Sequence, residues 1–345
     1  MTYRLFFRAN NGTLGDELYI TDTTGTSASL VSDIRPGAMS GLNIAQFAML
    51  GDRMVFTADD GVAGNELWVS DGTAAGTTLL KDINFGTASS LPYPFMTMGD
   101  LVFFQARNST SGYELFVSDG TATGTRLVKD ILPGSASSFC SPLGVLNGKM
   151  LLLADDGTNG EELWISDGTE FGTFLLKDIN PGGSSVPADV VVLDNGRALF
   201  SADDGASGRE LWVTDGTATG TMLLRDIYAG MSASAPDGMV LHQGVVYFMA
   251  ATAAQGTELW RSDGTATGTQ LVKDLYPGGS DSNPGPLVSA GGKLFFAALS
   301  DNGYELWVSD GSAAGTVEVL DLNGGSSGMD GGTTGNIAAL GDSGK

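Results

Sequence analysis

The sequence Glu-Leu-Trp-Val-Ser-Asp-Gly-Thr at residues 66–73 decides the fold, because it recurs through almost the whole chain of 345 residues. Seven copies follow one another at steps of 47 to 49 residues. Self-similarity at a fixed period of this length is typical of a solenoid or a propeller, and the secondary structure within one period distinguishes the two. The aromatic positions of the copies are Tyr19, Trp68, Phe116, Trp164, Trp212, Trp260 and Trp307.

The second period, residues 53–100, predicts four β-strands and no helix. Short apolar runs at residues 54–58, 66–70, 78–83 and 95–98 are separated by turns rich in Gly, Asp and Asn. Four antiparallel strands per period, repeated seven times, predict an all-β fold, a seven-bladed β-propeller of four-stranded antiparallel blades. A parallel β-helix is the alternative, but it normally uses shorter coils, and the tight Gly-Asp turns favour hairpins.

The two ends of the sequence predict how the propeller closes. The chain starts within a repeat, at residues 4–7, without a preceding fourth strand. Residues 338–342 match residues 48–52, so we expect them to pair beside residues 4–7 and to complete one blade from both termini. Because the repeats leave no shift in composition where a boundary could fall, we expect residues 1–345 to form a single domain.

The copies at residues 66–73, 162–169, 210–217 and 258–265 resemble the ELWxxDGT repeat family of bacterial secreted and surface proteins. The resemblance covers essentially the full chain, with Tyr19 and Phe116 in place of Trp, Thr23 in place of Gly and Ser312 in place of Thr. It implies a propeller with an extracellular or cell-surface location, in a chain that could belong to a larger secreted protein. It implies no established chemistry.

Charge and composition exclude several classes of partner. The formal net charge is −23, from 40 acidic and 17 basic residues, and this charge repels nucleic acids and anionic membrane surfaces. We expect no direct membrane insertion, because no run of 18 apolar residues exists, and the N-terminus has no pattern of a signal peptide. A single Cys, Cys140, and a single His, His242, exclude an intrachain disulfide and a multi-histidine metal centre.

Two features that occur in every repeat are expected to build the blades. The Trp series lies among apolar residues, so we expect its rings to fill the gaps between blades. The Ser-Asp-Gly-Thr segment is a turn whose Asp and Thr side chains can bond nearby backbone groups. A ligand usually occupies one place on a propeller, so these recurring residues are not the predicted site.

Acidic loops in three of the repeats suggest calcium. Adjacent carboxylates repel each other unless they are solvated or neutralised, and oxygen ligands on a turn with Gly are what Ca²⁺ prefers. Ca²⁺ is therefore the one candidate cofactor. Solvated turn residues are the alternative, because no complete Asp-x-Asp-x-Asp-Gly ligand series is present. The candidate metal ligands are Asp59, Asp60, Asp155, Asp156, Asp203 and Asp204.

Ligand binding is expected where the repeats differ. The residue after Asp-Ile or Asp-Leu varies from copy to copy, and the adjoining loops carry further aromatic residues. Aromatic rings beside Asp, Asn and Ser are typical of sites for sugars or peptides, although the same rings could plug the rim of a propeller. The candidate ligand-binding residues are Tyr228, Tyr276, Phe85, Tyr93, Phe139, Tyr113 and Tyr304.

No catalytic residue is predicted. His242 has no second His and lies near a Gln-Gly turn, which indicates an exposed loop residue rather than a general base. Cys140 has no basic neighbour in sequence that would activate its thiol. The sequence therefore favours an extracellular binding or adhesion module for a carbohydrate or peptide, presented by a glycan or protein surface. A polysaccharide-active hydrolase or lyase is the alternative.

Overall fold

The computed structural model describes residues 4–42, 46–321, 324 and 337. Within these residues the chain forms strands and no helix, so no helix that could cross a membrane is found among them. The first sheet contains β1 (Phe6–Asn10), β2 (Asp16–Thr21) and β3 (Ala28–Ser32); the second contains β4 (Phe47–Leu50), β5 (Arg53–Asp59), β6 (Asn65–Ser70) and β7 (Thr78–Lys81); the third contains β8 (Met96–Met98), β9 (Leu101–Ala106), β10 (Glu114–Ser118) and β11 (Arg126–Lys129); and the fourth contains β12 (Ser141–Leu146), β13 (Lys149–Asp155), β14 (Glu161–Ser166) and β15 (Phe174–Lys177).

Three further sheets complete the described part of the chain. The fifth contains β16 (Ala188–Val192), β17 (Ala198–Asp203), β18 (Arg209–Thr214) and β19 (Met222–Arg225); the sixth contains β20 (Asp237–His242), β21 (Val245–Thr252), β22 (Gly256–Ser262) and β23 (Gln270–Lys273); and the seventh contains β24 (Gly285–Ala290), β25 (Lys293–Ser300), β26 (Gly303–Ser309) and β27 (Val317–Leu320).

All seven sheets have the up-and-down order of a propeller blade, in which each strand is bonded to the next one in the chain. The prediction of an all-β, seven-bladed β-propeller is confirmed. Six sheets have four strands, and the first sheet has three among the described residues. The predicted closing strand at residues 338–342 lies outside those residues.

Each of the second to seventh sheets begins with the strand that the sequence assigned to the end of the preceding period. The fourth strand predicted for the second period is β8, and it is the first strand of the third sheet. The third predicted strand ends at Lys81 rather than at Ile83. It ends there because the backbone N–H of Ile83 leaves the sheet and donates to Glu66 Oε2 at 2.7 Å.

The chain is divided into two compact units. Unit 1 comprises residues 1–160 and 164–174, and unit 2 comprises residues 161–163 and 175–345. In unit 1, Leu18 of the first sheet packs in one core with Phe56 and Trp68 of the second. In unit 2, Leu211 of the fifth sheet shares a core with Trp260 of the sixth. The Trp rings therefore fill the space between consecutive sheets, as predicted, while the single domain stays a prediction.

A buried glutamate in the repeat ties the following loop to its own sheet. Glu66 is fully buried, and it accepts hydrogen bonds from the backbone N–H groups of Ile83 and Ser90 at 2.7 and 2.8 Å and from Ser90 Oγ at 2.6 Å. Burial raises the pKa of this carboxyl, although the hydrogen bonds oppose the shift. The same arrangement of a buried Glu with bonds to the loop occurs at Glu17, Glu114, Glu162, Glu210 and Glu258.

The Ser-Asp-Gly-Thr turns are closed by their own side chains, as predicted. Asp71 Oδ1 accepts the backbone N–H of Thr73 at 2.9 Å, and Ser70 Oγ accepts the N–H of Gly72 at 3.0 Å. Thr77 Oγ1 then bonds Ser70 Oγ at 2.7 Å and donates to the carbonyl of Thr73 at 2.8 Å. Each of these turns is therefore a local structural unit with its polar groups already used.

Candidate functional site

Two positions of the repeat meet at one edge of the second to sixth sheets and differ in side chain from copy to copy. The first is the residue directly before the buried Glu, and the second follows the buried Ser that bonds this Glu. In the fifth sheet, the N–H of Ala235 donates to the carbonyl of Arg209 at 3.1 Å. We call these two positions the variable edge.

The second position of the variable edge has a left-handed backbone in residues other than Gly. Its φ angles lie between 44° and 49°. Such a conformation is unfavourable for a residue with a side chain and persists where the surroundings impose it. The buried Glu–Ser pair and the backbone bond to the first position supply that constraint, so the fold fixes where these side chains begin. The residues are Leu91, Phe139, Val186, Ala235 and Asn283.

In unit 1 the variable edge brings two of the predicted ligand residues together. The rings of Tyr113 and Phe139 stack with centroids 6.5 Å apart and an interplanar angle of 24°. The Arg107 guanidinium carbon lies 5.5 Å from the centroid of the Tyr113 ring, and its Nε donates to the carbonyl of Ser89 at 2.9 Å. Because Phe139 is 59% exposed, this aromatic pair is open to solvent beside a fixed cation.

The other predicted ligand residues are spread over different positions. Phe85 is 90% exposed in the loop after β7, and Tyr93 is 41% exposed before β8. Tyr304 lies in β26 at the first position of the variable edge and is half-buried. None of these three is placed in the Tyr113–Phe139 pair.

Tyr228 and Tyr276 are half-buried residues that follow Asp-Ile and Asp-Leu. The residue at this position in other repeats packs against the acidic loop of the next sheet. Leu132 lies so close to Gly157 that a side chain at Gly157 would collide with it. The two tyrosines therefore occupy a position that contacts a neighbouring sheet in other repeats.

The paired aspartates form turns that bond their own loop. Asp155 Oδ1 accepts the N–H of Gly157 at 2.7 Å, and Asp156 Oδ1 accepts the N–H groups of Thr158 and Asn159 at 2.9 Å each. Asp59 and Asp60, and Asp203 and Asp204, bond their loops in the same way. Asp59 Oδ2 also pairs with the Arg35 guanidinium at 2.5 Å.

Within the described residues, no group of three or more His, Cys, Asp or Glu side chains could hold a metal ion. A calcium ion at these loops would therefore need backbone carbonyls or water among its ligands. The calcium site stays a prediction.

The prediction that His242 is an exposed loop residue is wrong. His242 is the last residue of β20 and is only 4% exposed, because its ring packs edge-on against Tyr247 at a centroid distance of 6.0 Å. Its Nδ1 lies 2.7 Å from Ser289 Oγ, while its buried Nε2 has no partner among the described residues. A general base must come within hydrogen-bond distance of the proton that it abstracts, and the free nitrogen of His242, Nε2, is buried inside the protein. Cys140 is fully buried, and burial raises the pKa of its thiol.

A cavity of about 470 Å³ in unit 2 contains residues that sequence reasoning missed. It lies where the variable edges of the fifth and sixth sheets meet, and this volume is in the range of small-molecule sites. The charged residues that line it are Asp189 of β16, Arg209 of β18 and Asp237 of β20. Met249, Thr257 and Asn283 contribute other parts of the wall.

The two carboxyl groups of this cavity interact with each other. Burial, a side-chain hydrogen bond with Asp237 and the charge of Asp237 raise the pKa of Asp189 to about 6, while the charge of Arg209 opposes this shift. The Arg209 guanidinium is held in place, because it donates to the carbonyl of Val186 at 2.9 Å and to Ser201 Oγ at 3.2 Å. The cavity therefore presents an acidic pair beside a fixed cation.

A comparison of the repeats shows that Asp237 occupies a position where the other repeats have no carboxylate. Asp237 pairs across its sheet with Met249, and the equivalent residues Ser141, Ala188 and Gly285 pair with their own second strands. Tyr93 takes the same position in the third sheet, where its N–H donates to the carbonyl of Gln105. A carboxylate at this position is thus a departure from the repeat. Because Asp residues are frequent throughout this sequence, the sequence alone does not distinguish Asp237 from the aspartates of the turns.

No protein-family model matches this chain, and no curated protein matches it. Solved structures do. A structure from a study of two prolyl endopeptidases aligns with a TM-score of 0.50 at 11% identity, over 91% of this chain and 48% of that one. Another similar solved structure is that of puromycin hydrolase, with a TM-score of 0.44 at 15% identity, over 92% of this chain and 53% of that one. The β-propeller domain of the Trilobed protease from Pyrococcus furiosus has a TM-score of 0.43 at 11% identity, over 93% of this chain and 94% of that domain.

These similarities concern the fold alone. The chain spans about half the length of the puromycin hydrolase structures that it matches. The resemblance to the ELWxxDGT repeat family stays a prediction.

Proposed function

We propose that this protein is an extracellular or cell-surface binding module that holds a glycan or a peptide of a partner surface. The observation that carries the proposal is the stack of half-buried Tyr113 with the exposed ring of Phe139, beside Arg107. Flat rings with an adjacent cation suit the apolar face of a sugar or an aromatic side chain, while the guanidinium can donate to hydroxyl or carboxylate groups.

Different positions of the repeat have different roles, and this difference supports the proposal. Some positions of the repeat serve the fold itself. The buried Glu and the Asp-Gly-Thr turn form hydrogen bonds within the fold, and the Trp ring packs in the core. The two positions of the variable edge have fixed backbones, and their side chains differ between repeats. A surface with fixed backbone and variable side chains is suited to recognition, because little order is lost when a ligand binds.

The hydrolase or lyase alternative has no specific support in the described residues. His242 is enclosed, and its Nε2 has no partner in that part of the chain. The thiol of Cys140 is buried and has a raised pKa, so it is not an activated nucleophile.

Glycan and peptide arrays probed with the purified chain test the proposal, followed by titration of the strongest ligand. We expect the double variant Tyr113→Ala, Phe139→Ala to bind at least about tenfold more weakly, which corresponds to about 1.4 kcal/mol. Phe171→Ala is the matched control, because this ring is 96% exposed elsewhere in unit 1. Equal losses in both variants, or no saturable ligand on either array, would contradict the proposal.

A further inference from the structure

The cavity of unit 2 has a charge imbalance. Its charged lining consists of two carboxyl groups, Asp189 and Asp237, and one guanidinium, Arg209. With both carboxyls ionised, the three groups sum to one negative charge. Asp189 and Asp237 are both exposed to solvent at this cavity, and neighbouring carboxylates repel each other unless an opposite charge lies close to them. The cavity is therefore complementary to a ligand that brings one positive charge.

Arg209 cannot easily supply the missing compensation by moving. Its two terminal nitrogens already donate to the carbonyls of Val186 and Ser185 and to Ser201 Oγ. These bonds hold the guanidinium at one side of the cavity. In the described part of the chain Arg209 forms no ion pair within 4.0 Å with Asp189 or Asp237, so both carboxylates can still take a cation from outside. The net charge of −23 draws cations towards this protein.

The remaining walls indicate what carries that cation. Met249, Ala251, Ala235 and Pro236 provide apolar surface, and the described lining includes no aromatic ring. Sugar sites typically offer a ring on which the sugar stacks, whereas methylene groups pack well on aliphatic walls. An ammonium at the end of an aliphatic stem matches both the walls and the charge. Thr257 and Asn283 add polar groups at the same wall.

We propose that this cavity binds the ε-ammonium of a lysine side chain in a peptide, held by Asp189 and Asp237. The proposal refines the binding function proposed above, because it places a peptide ligand at a second site, separate from the Tyr113–Phe139 stack. The ammonium donates to the carboxylates, and the four methylene groups lie along Met249 and Pro236.

The acidic pair also makes binding depend on pH. The titratable and charged groups that act on Asp189 are Asp237 from β20 and Arg209 from β18. Since the pKa of Asp189 is raised to about 6, the pair gains a proton as the pH falls through this value, and the cavity loses its negative charge. Affinity for an ammonium should therefore fall in the same range.

Isothermal titration of the full chain with Nα-acetyl-lysine amide at about pH 7.5 tests the proposal. The matched probes are Nα,Nε-diacetyl-lysine amide, which lacks the charge, and glucosamine, which carries its ammonium on a sugar ring. We expect the diacetylated probe and glucosamine to bind at least tenfold more weakly than the lysine amide. The affinity for lysine amide should also fall at least threefold at about pH 5. Equal binding of the charged and uncharged lysine probes, tighter binding of glucosamine, or pH-independent affinity would overturn the proposal.

Substituted chains provide a second test of the same proposal. Asp237→Asn should lower the affinity for lysine amide at least tenfold, and Asp194→Asn, at an exposed position just after β16, should leave it within twofold. Thermal melting checks that each variant is folded. If Asp237→Asn does not fold, the binding of the three probes to the unmodified chain tests the proposal by itself. Failure of lysine amide to bind the unmodified chain would overturn this inference and leave the Tyr113–Phe139 proposal standing. The Tyr113→Ala, Phe139→Ala variant should still bind lysine amide.

Discussion

Replacement of Trp260 by Phe and by Ala should have very different effects on stability. Trp260 is 6% exposed and packs in the core between the fifth and sixth sheets with Leu211, Val213 and Phe248. Its indole N–H is buried and has no hydrogen-bond partner among the described residues. The ring therefore stabilises the protein by filling space, while its polar atom costs free energy.

The magnitudes follow from these two properties. Trp260→Ala removes the whole ring from a buried site, and such a change typically costs about 3–5 kcal/mol through lost burial and the cavity left behind. Trp260→Phe keeps one aromatic ring and removes a buried donor whose lack of a partner costs about 1–3 kcal/mol. This gain offsets most of the lost area, so we expect a net change within about 1 kcal/mol. The third sheet already has Phe116 at this position, where it is 4% exposed.

Urea unfolding followed by circular dichroism measures these differences through the midpoint and slope of each curve. Phe171→Ala is the matched control, because its ring is 96% exposed and its removal should change the free energy of unfolding by less than about 0.5 kcal/mol. If Trp260→Phe costs as much as Trp260→Ala, then the indole N–H is bonded in solution and the reasoning is refuted. A small effect of Trp260→Ala would show that the ring does not fill the core.

Two further predictions concern pH and calcium. Burial raises the pKa of Glu258 to about 7 from 4.5, so the stability linked to this group is present below about pH 4.5 and is lost as the pH rises to about 7. The free energy of unfolding is measured for Glu258→Gln and for the unmodified chain between about pH 5 and 8. As the pH rises to about 7, the variant should become more stable relative to the unmodified chain. A difference between the two free energies that does not change with pH would contradict this prediction. Calcium at loops such as residues 155–157 should raise the melting temperature by several degrees over EDTA, because bound Ca²⁺ relieves repulsion, whereas Mg²⁺ should substitute poorly. Identical melts in the three conditions would leave the loops as solvated turns.

The sequence alone determined the blades and the turns that join their strands. The second period predicted four strands, and β5 to β8 lie close to the predicted bounds. The Ser-Asp-Gly-Thr turns could be predicted because Asp71 bonds a residue only two positions away. Interactions this close in sequence are fixed by local backbone geometry, and seven copies of one pattern leave few alternatives.

Only the tertiary structure decided which side chains meet. Tyr113 and Phe139 stack because the N–H of Ser138 donates to the carbonyl of Tyr113 and fixes both positions of the variable edge. Asp189 and Asp237 come from consecutive sheets, and their approach depends on how those sheets pack. A repeat period specifies the strands within each sheet, but contacts between residues one period apart depend on the stacking of sheets and on left-handed residues such as Phe139 and Ala235. Side-chain packing sets that geometry, and no pattern within a single repeat encodes it.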